Sequence, residues 1–267
     1  MIRLCVLGPS GRMGKAVLEA AQGVTNASGR GDGVTVTAAV DRGEAAGIGG
    51  EVAPGVRATT DIGAALDASD VYIDFTTPAS TRGAAIAATP RRRAAVIGTT
   101  GLSAADDEAI AALAQVAPIV VAANFSVGVN LLLGLVKQAA RALPDWDAEV
   151  VETHHRMKRD APSGTALAIA RSIAAGRGVD YDAVKRHTRD GDIGPRPAGE
   201  IGVSTVRGGD VIGEHVATFF GAAERIEIAH RATSRAIFAA GAVRAAAWVA
   251  GKPPGRYDML DVLGFTP

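Results

Sequence analysis

For about half its length the chain alternates short apolar runs with stretches of helical spacing. Ile2–Leu7 (IRLCVL) is an apolar run, and GRMGKAVLEAAQ after it repeats apolar residues at three- and four-residue intervals, the period of one helix face. VTVTAAV (34–40) alternates as a strand does, and DVYIDF (70–75), AAVIGTT (94–100) and PIVVAANFS (118–126) supply three more strands. Among the helices between them, residues 103–114 are clearest: Ser103 can cap the first turn, and Asp106, Asp107 and Glu108 suit its positive end. The alternation predicts an α/β fold with a Rossmann-like, doubly wound parallel sheet.

The pattern changes after residue 126. Residues 146–156 (WDAEVVETHHR) read as a strand, a helix starts at Ser163 and runs to about residue 175, and a loop rich in Gly, Pro, Arg and Asp covers 187–199. IGVSTVR, DVIGEHVATFF and ERIEIAHRA follow in close order, and their closeness predicts antiparallel pairing. This half is expected to be a smaller α+β domain with a mainly antiparallel or mixed sheet. An Ala-rich helix at 234–250 then stops at GKPPG.

Charge and composition narrow the partners. Lys+Arg and Asp+Glu both number 28 and aromatics are 4%, so neither a nucleic-acid nor a membrane-surface partner is expected. No apolar run approaches the ~20 residues of a membrane span, and the start of the chain lacks the ordering of a signal peptide. Cys5, the single cysteine, excludes a disulfide framework and is expected in the core; a cytoplasmic location fits.

VLGPSGRMGKAV places Gly8, Gly11 and Gly14 between the first strand and the first helix. A pyrophosphate needs bare backbone amides at a helix start, and glycine lets the chain come that close. The spacing is G-x-x-G-x-x-G rather than G-x-G-x-x-G, but the strand–turn–helix context is right. Arg12 can reach a phosphate or stay in solvent. Asp41 ends the second strand, where an acid takes the ribose hydroxyls, and Arg42 beside it can face a 2′-phosphate; a turn salt bridge is the other reading of the pair. The Gly-rich insert at 23–33 lengthens the spacing between turn and acid. GTTG (98–101) and AANFS (122–126) end the fourth and fifth strands, where a nicotinamide ring lies in this fold; ordinary strand-end turns are the alternative.

The densest chemistry is ETHHRMKRDAPSGTAL (152–167). A metal site from His154, His155 and Asp160 is disfavoured, because adjacent histidines on a strand point to opposite faces; no metal is expected. A structural salt-bridge cluster is one alternative. The other is an anion and proton-transfer site: Pro162-Ser163-Gly164-Thr165 opens a helix whose amides and Thr165 hydroxyl can hold a carboxylate. Lys158 adds a second anchor or an acid, and a histidine exchanges protons near neutral pH.

GPSGRMG, IDFTTP, GTTGLS, AANFSVGVN, HHRMKRDAPSGTA, GEHVATF and FAAGAVRAAAWV together resemble the 4-hydroxy-tetrahydrodipicolinate reductase (dihydrodipicolinate reductase) family of bacterial lysine biosynthesis, and the likeness runs to the DMLDVLG tail. The resemblance implies reduction of the (2S,4S)-4-hydroxy-2,3,4,5-tetrahydrodipicolinate dianion, with loss of water, by NADH, NADPH or both. It implies His154 as proton donor or acceptor, Lys158 as a second donor, His155 at the substrate, and Gly164 and Thr165 on a substrate carboxylate. Gly8, Pro9, Ser10, Gly11, Arg12, Met13, Asp41, Arg42, Gly98, Thr99, Thr100, Ala122, Ala123, Asn124 and Phe125 would bind cofactor. It also implies a homotetramer. The division expected is a dinucleotide-binding domain, 1–126, completed by 240–267, and a substrate-binding and oligomerisation domain, 127–239. A nicotinamide-nucleotide-responsive binding protein and another small-molecule dehydrogenase stand as alternatives. The titratable segment speaks against a sensor, which needs no proton donor.

Overall fold

The computed structural model describes residues 1–23, 33–45 and 47–265, so most of the glycine-rich insert lies outside the described residues. In chain order the elements are β1 (Ile2–Leu7), α1 (Arg12–Gly23), β2 (Val34–Val40), β3 (Glu51–Ala53), β4 (Val56–Thr59), α2 (Ile62–Asp67), β5 (Val71–Asp74), α3 (Pro78–Ala88), β6 (Ala94–Ile97), α4 (Ala104–Ala114) and β7 (Pro118–Val121). There follow α5 (Val127–Ala142), β8 (Asp147–His154), α6 (Gly164–Arg177), α7 (Tyr181–Val184), β9 (Lys185–Arg186), β10 (Ile201–Arg207), β11 (Gly213–Phe220), β12 (Arg225–Ala232), α8 (Ala236–Val249), β13 (Gly255–Tyr257) and α9 (Met259–Val262). They form two compact units, Met1–Val127 with Ala236–Pro267, and Gly128–Arg235.

The first unit is an α/β layer structure around a sheet ordered β13-β7-β6-β5-β1-β2-β4-β3, parallel except for β3. Its central strands are buried on both faces, which is why they read as unbroken apolar runs. Leu4 and Val6 join α1 and α8 in one core, whereas Cys5 and Leu7 join α2, α3 and α4 in the other. Cys5 is fully buried, and burial pushes its thiol up to about 12, so it serves as a small core residue. Ser103 caps α4 in a reciprocal capping box with Asp106, as the spacing predicts.

Sequence patterning undercounts this sheet. The β3–β4 hairpin consists of runs of three and four residues around Gly55, whose φ is +73°. Such runs are too short for alternation to show. GTTG and AANFS therefore follow the sixth and seventh strands, not the fourth and fifth. The Ala-rich helix does stop before GKPPG, with α8 ending at Val249, and β13, which patterning missed, begins at the last glycine of that segment and extends the sheet beside β7.

The second unit is a mixed five-stranded sheet, ordered β12-β11-β8-β10-β9, with α5 and α6 packed through Leu132, Val136, Ile169 and Ile173 onto Val150, Val203 and Phe219. β11 pairs antiparallel with both β8 and β12. β10 pairs parallel with β8, which corrects the antiparallel expectation for IGVSTVR. The reason is topological: β8 and β10 are joined through α6 and the 187–199 loop, a crossover rather than a hairpin. Ser163 caps α6 by accepting the Ala166 amide, and Gly178 closes it at φ +70°. Among the described residues no helix is long and apolar enough to cross a membrane.

Candidate active site

In the first unit the predicted nucleotide residues line the carboxyl edge of the parallel sheet. Strand order sets AANF after β7 beside GTT after β6, then Thr76 after β5, the glycine turn after β1, and Asp41 after β2. The order reverses between β5 and β1, the crevice where doubly wound folds take their ligands. The glycine turn is built for backbone approach. A Cβ on Gly8, whose φ is +67°, would stand 2.8 Å from Thr76 Cγ2, and one on Gly14 would run into the Gly8 carbonyl. The Gly11 amide donates to the Gly8 carbonyl at 3.0 Å, closing the turn directly before α1. First-turn helix amides lack intrahelical acceptors, so this bare cradle fits a pyrophosphate.

Asp41 reaches the turn. Its carboxylate accepts the Ser10 amide at 3.1 Å and the Arg42 amide at 2.9 Å. Burial pushes the Asp41 carboxyl up, but the Ser10 hydroxyl and the two amides outweigh it and hold the group below the usual carboxylate range. Arg12 and Arg42 are exposed. The Gly98 amide donates to the Asp74 carbonyl at 2.8 Å, and a Cβ on Gly98 would enter the Phe75 ring. Thr99 is buried, with Thr81 donating to its hydroxyl at 2.8 Å. The Phe125 side chain is core, edge-on to Phe75 with centroids 5.4 Å apart, which leaves Ala122, Ala123 and Asn124 as the more accessible part of that turn. Asp74, which lies in IDFTTP but received no role from the sequence, organises these loops: it is fully buried, and one of its oxygens accepts the Thr76 amide at 2.8 Å and the Thr76 hydroxyl at 2.6 Å.

In the second unit the register of three strands makes the site. His215 on β11, Glu152 on β8 and Thr205 on β10 lie opposite one another, and Arg207 lies opposite His154 in a neighbouring row. Glu152 is fully buried. It accepts from the Ser163 amide at 2.9 Å, from Arg207 at 2.9 and 3.0 Å, and from the Thr205 hydroxyl at 3.2 Å; His154 Nδ1 completes the set. Burial works to raise the Glu152 carboxyl, but Arg207, the Ser163 amide and His154 outweigh it and hold the group below its ordinary value. An ionised carboxylate only accepts, so Nδ1 of His154 carries the hydrogen between them and Nε2 is the ring nitrogen left without one. Burial lowers the His154 pKa; Glu152 opposes it, but the charges of Lys158 and Arg207 reinforce it, so the ring rests neutral near pH 7. The His215 ring is edge-on to His154 at 5.2 Å, and burial pushes its pKa down to about 4.

His154 and the start of α6 are thus bridged through Glu152, which holds His154 on one side and the Ser163 amide on the other. Lys158 lies 2.9 Å from Asp160, whose carbonyl in turn accepts from Arg207 at 2.6 Å. His155 falls one residue beyond β8, half-buried, with its amide on the Val211 carbonyl at 2.7 Å. Gly164 is exposed and Thr165 half-buried at the start of α6. Glu152, Arg207 and His215 received no role from the sequence. The available signal was the Glu-x-His spacing of 152 and 154, which puts both side chains on one face of a strand. Among the described residues no group of three or more His, Cys, Asp or Glu is arranged to hold a metal ion.

A doubly wound unit with a glycine cradle, joined in one chain to a unit carrying a histidine–carboxylate pair at a helix start, defines a nicotinamide-nucleotide type of oxidoreductase. Family models described as dihydrodipicolinate reductase, N-terminus, and dihydrodipicolinate reductase, C-terminus, match residues 2–125 and 128–263. The chain is 49% identical to a 4-hydroxy-tetrahydrodipicolinate reductase of Alkalilimnicola ehrlichii, covering 98% of each, and 47% identical to one of Rhizobium rhizogenes, covering 99% of this chain and 97% of the other. A solved dihydrodipicolinate reductase of Paenisporosarcina sp. TG-14, bound to dipicolinate, shares the fold with TM-score 0.79 at 24% identity over 98% of each chain. The chain belongs to the 4-hydroxy-tetrahydrodipicolinate reductase (dihydrodipicolinate reductase) family.

Proposed function

We propose that the chain reduces (2S,4S)-4-hydroxy-2,3,4,5-tetrahydrodipicolinate to tetrahydrodipicolinate in lysine and diaminopimelate biosynthesis, using NADH, NADPH or both. One hydride and one proton enter the substrate and one water leaves. The observation that carries this reading is the buried Glu152–His154 pair tied to the start of α6 in a member of this family. When bound, the nicotinamide nucleotide supplies the hydride. Gly8, Pro9, Ser10, Gly11, Arg12 and Met13 cradle its pyrophosphate, and Asp41 and Arg42 face the adenosine ribose. Gly98, Thr99, Thr100 and Ala122, Ala123, Asn124 and Phe125 form the nicotinamide end.

The chain's own residues hold the dianion and move the proton. Gly164 and Thr165 offer helix-start donors to one carboxylate, and His155 and Lys158 bind the rest of the substrate. His154 Nε2 passes the proton, with Lys158 as a second donor. Assembly as a homotetramer belongs to the same proposal and is supported by Val151, Val206 and Phe220, apolar and exposed on the sheet face away from α6. A cytoplasmic location, domain limits of 1–126 with 240–267 and of 127–239, and the absence of a resident metal complete it.

The test mixes purified chain with condensed pyruvate and aspartate semialdehyde and follows loss of reduced-nicotinamide absorbance. Substrate-dependent oxidation of either nucleotide is expected. Binding of nucleotide without turnover would favour the nucleotide-responsive binding protein instead.

A further inference from the structure

The second unit holds a buried carboxylate against the ring of His154. Glu152 is fully enclosed, and its two oxygens meet only donors: two nitrogens of Arg207, the Ser163 amide, the Thr205 hydroxyl and Nδ1 of His154. Four of these five come from β10 and the α6 cap, so the carboxylate is fixed before His154 is considered. An enclosed acceptor with fixed direction selects one tautomer of the ring that touches it. It also fixes the ring's rotation, and on the far side the ring meets the main chain: a Cβ on Gly213 would lie 2.9 Å from Nε2.

We propose that Glu152 is a positioning residue for the reduction, clamped by Arg207 so that it locks His154 as the Nδ1–H tautomer and presents Nε2 as the nitrogen that exchanges protons with substrate. This rests on the activity proposed above. When Nε2 gives its proton to the substrate, the ring returns to the neutral Nδ1–H form and solvent restores the Nε2 proton. Glu152 stays ionised throughout. The groups that face this pair are Lys158 and Asp160 from the loop after β8, Arg207 from β10, His215 from β11 and, behind His215, His230 from β12. The charges of Lys158 and Arg207 oppose a charged imidazole, and Glu152 favours one. Loss of the Glu152 charge therefore moves the titration of His154 to lower pH.

The experiment has an arm independent of turnover. Nitrogen chemical shifts of the full chain labelled in histidine report tautomer and titration of His154, assigned by its absence in His154→Gln. Wild type is expected to show Nδ1 protonated and Nε2 bare at neutral pH. Glu152→Gln, whose amide can donate as well as accept, is expected to mix the tautomers and shift the titration downward. It should lower kcat at least ~10²-fold while KM changes less than about threefold, as when a tautomer-fixing carboxylate is lost. Glu152→Asp should restore part of kcat and of the tautomer signal. A wild-type ring protonated at Nε2 overturns the proposal, even where Glu152→Gln does not fold. So does a folded Glu152→Gln chain with unchanged tautomer and pH profile. Correct wild-type tautomer without turnover of the dicarboxylate would instead sink the activity and leave only the tautomer lock of Glu152 on His154 standing.

Discussion

The main-chain amide and the hydroxyl of Ser10 both donate to one oxygen of Asp41, at 3.1 and 2.5 Å, so the acid that ends β2 closes against the glycine turn that follows β1. The long insert between them does not separate the two. Asp41 stays ionised at neutral pH, because Ser10 and the Arg42 amide outweigh the opposing effect of burial. In the role proposed for it, it would accept from ribose hydroxyls and repel a 2′-phosphate, while the exposed Arg42 beside it would attract one. Opposing preferences of about 1.4 kcal/mol cancel to within roughly tenfold, so KM values for NADH and NADPH should differ by no more than that. Asp41→Ala should raise the NADH value about tenfold and the NADPH value less. Steady-state kinetics with both nucleotides decides it; a wild-type difference beyond a hundredfold contradicts the balance.

A planar pyridine-2,6-dicarboxylate should compete with substrate for the start of α6. Thr165→Val removes a hydroxyl donor and keeps the shape, so its inhibition constant should rise about five- to thirtyfold, the loss of ~1–2 kcal/mol at a charged acceptor. Equal inhibition of both proteins would place the carboxylate elsewhere.

The two units differ in how far their sites were legible. In the first, each ligand turn sits between one strand and its own helix, so GPSGRMG carries its context with it, and the βα alternation supplies the strand order that aligns the turns. In the second, the partners of Glu152 lie 11, 53 and 55 residues away, at Ser163, Thr205 and Arg207. Only the parallel register of β10 on β8 brings Thr205 and Arg207 there, and that register was the one misjudged. Lys158, by contrast, was visible as a cation near the acid of its own segment. Asp74 was hidden for a related reason: it reads as the end of an apolar strand, and its partners Thr76 and Thr99 belong to two different turns.

Acid should weaken the second unit through its buried histidines. His215 sits near 4 in the folded chain against about 6.5 unfolded. A depressed histidine contributes stability fully present above the unfolded value and lost as pH falls toward the folded one. Between about pH 7.5 and about pH 5 that loss amounts to about 2 kcal/mol for this group. His154 and His230 are shifted in the same direction, and Glu152 adds its own loss at lower pH, below its unfolded range. Trp146 lies in the second unit and Trp248 in the first, so urea unfolding read by Trp146 in a Trp248→Phe background isolates the effect. His215→Gln should flatten the pH dependence by about the amount stated; an unchanged slope would show that His215 titrates normally.

The proton-transfer assignment makes the most demanding prediction. His154 and Lys158 belong to the second unit and the glycine cradle to the first, so removing either side chain should damage turnover and spare nucleotide binding. His154→Gln and Lys158→Met should each lower kcat at least ~10²-fold, the lower end for a positioned acid–base group. NADH affinity, followed by fluorescence, should change less than about threefold, within ~0.7 kcal/mol. Lys158→Met should also raise KM if the cation pairs with a substrate carboxylate as well as donating, as proposed. His155→Gln should act mainly on KM, because His155 lies past the end of β8 and the strand period turns it away from the face that carries Glu152 and His154. Gly213→Ala supplies a control that leaves every titratable group in place. Its methyl would stand 2.9 Å from His154 Nε2 and must turn the ring, so kcat should fall while Glu152, Lys158 and the cradle remain. Near-normal kcat in both His154→Gln and Lys158→Met, with folding verified by circular dichroism, would return the 152–167 segment to a structural role and leave Gly213→Ala without a reason to matter.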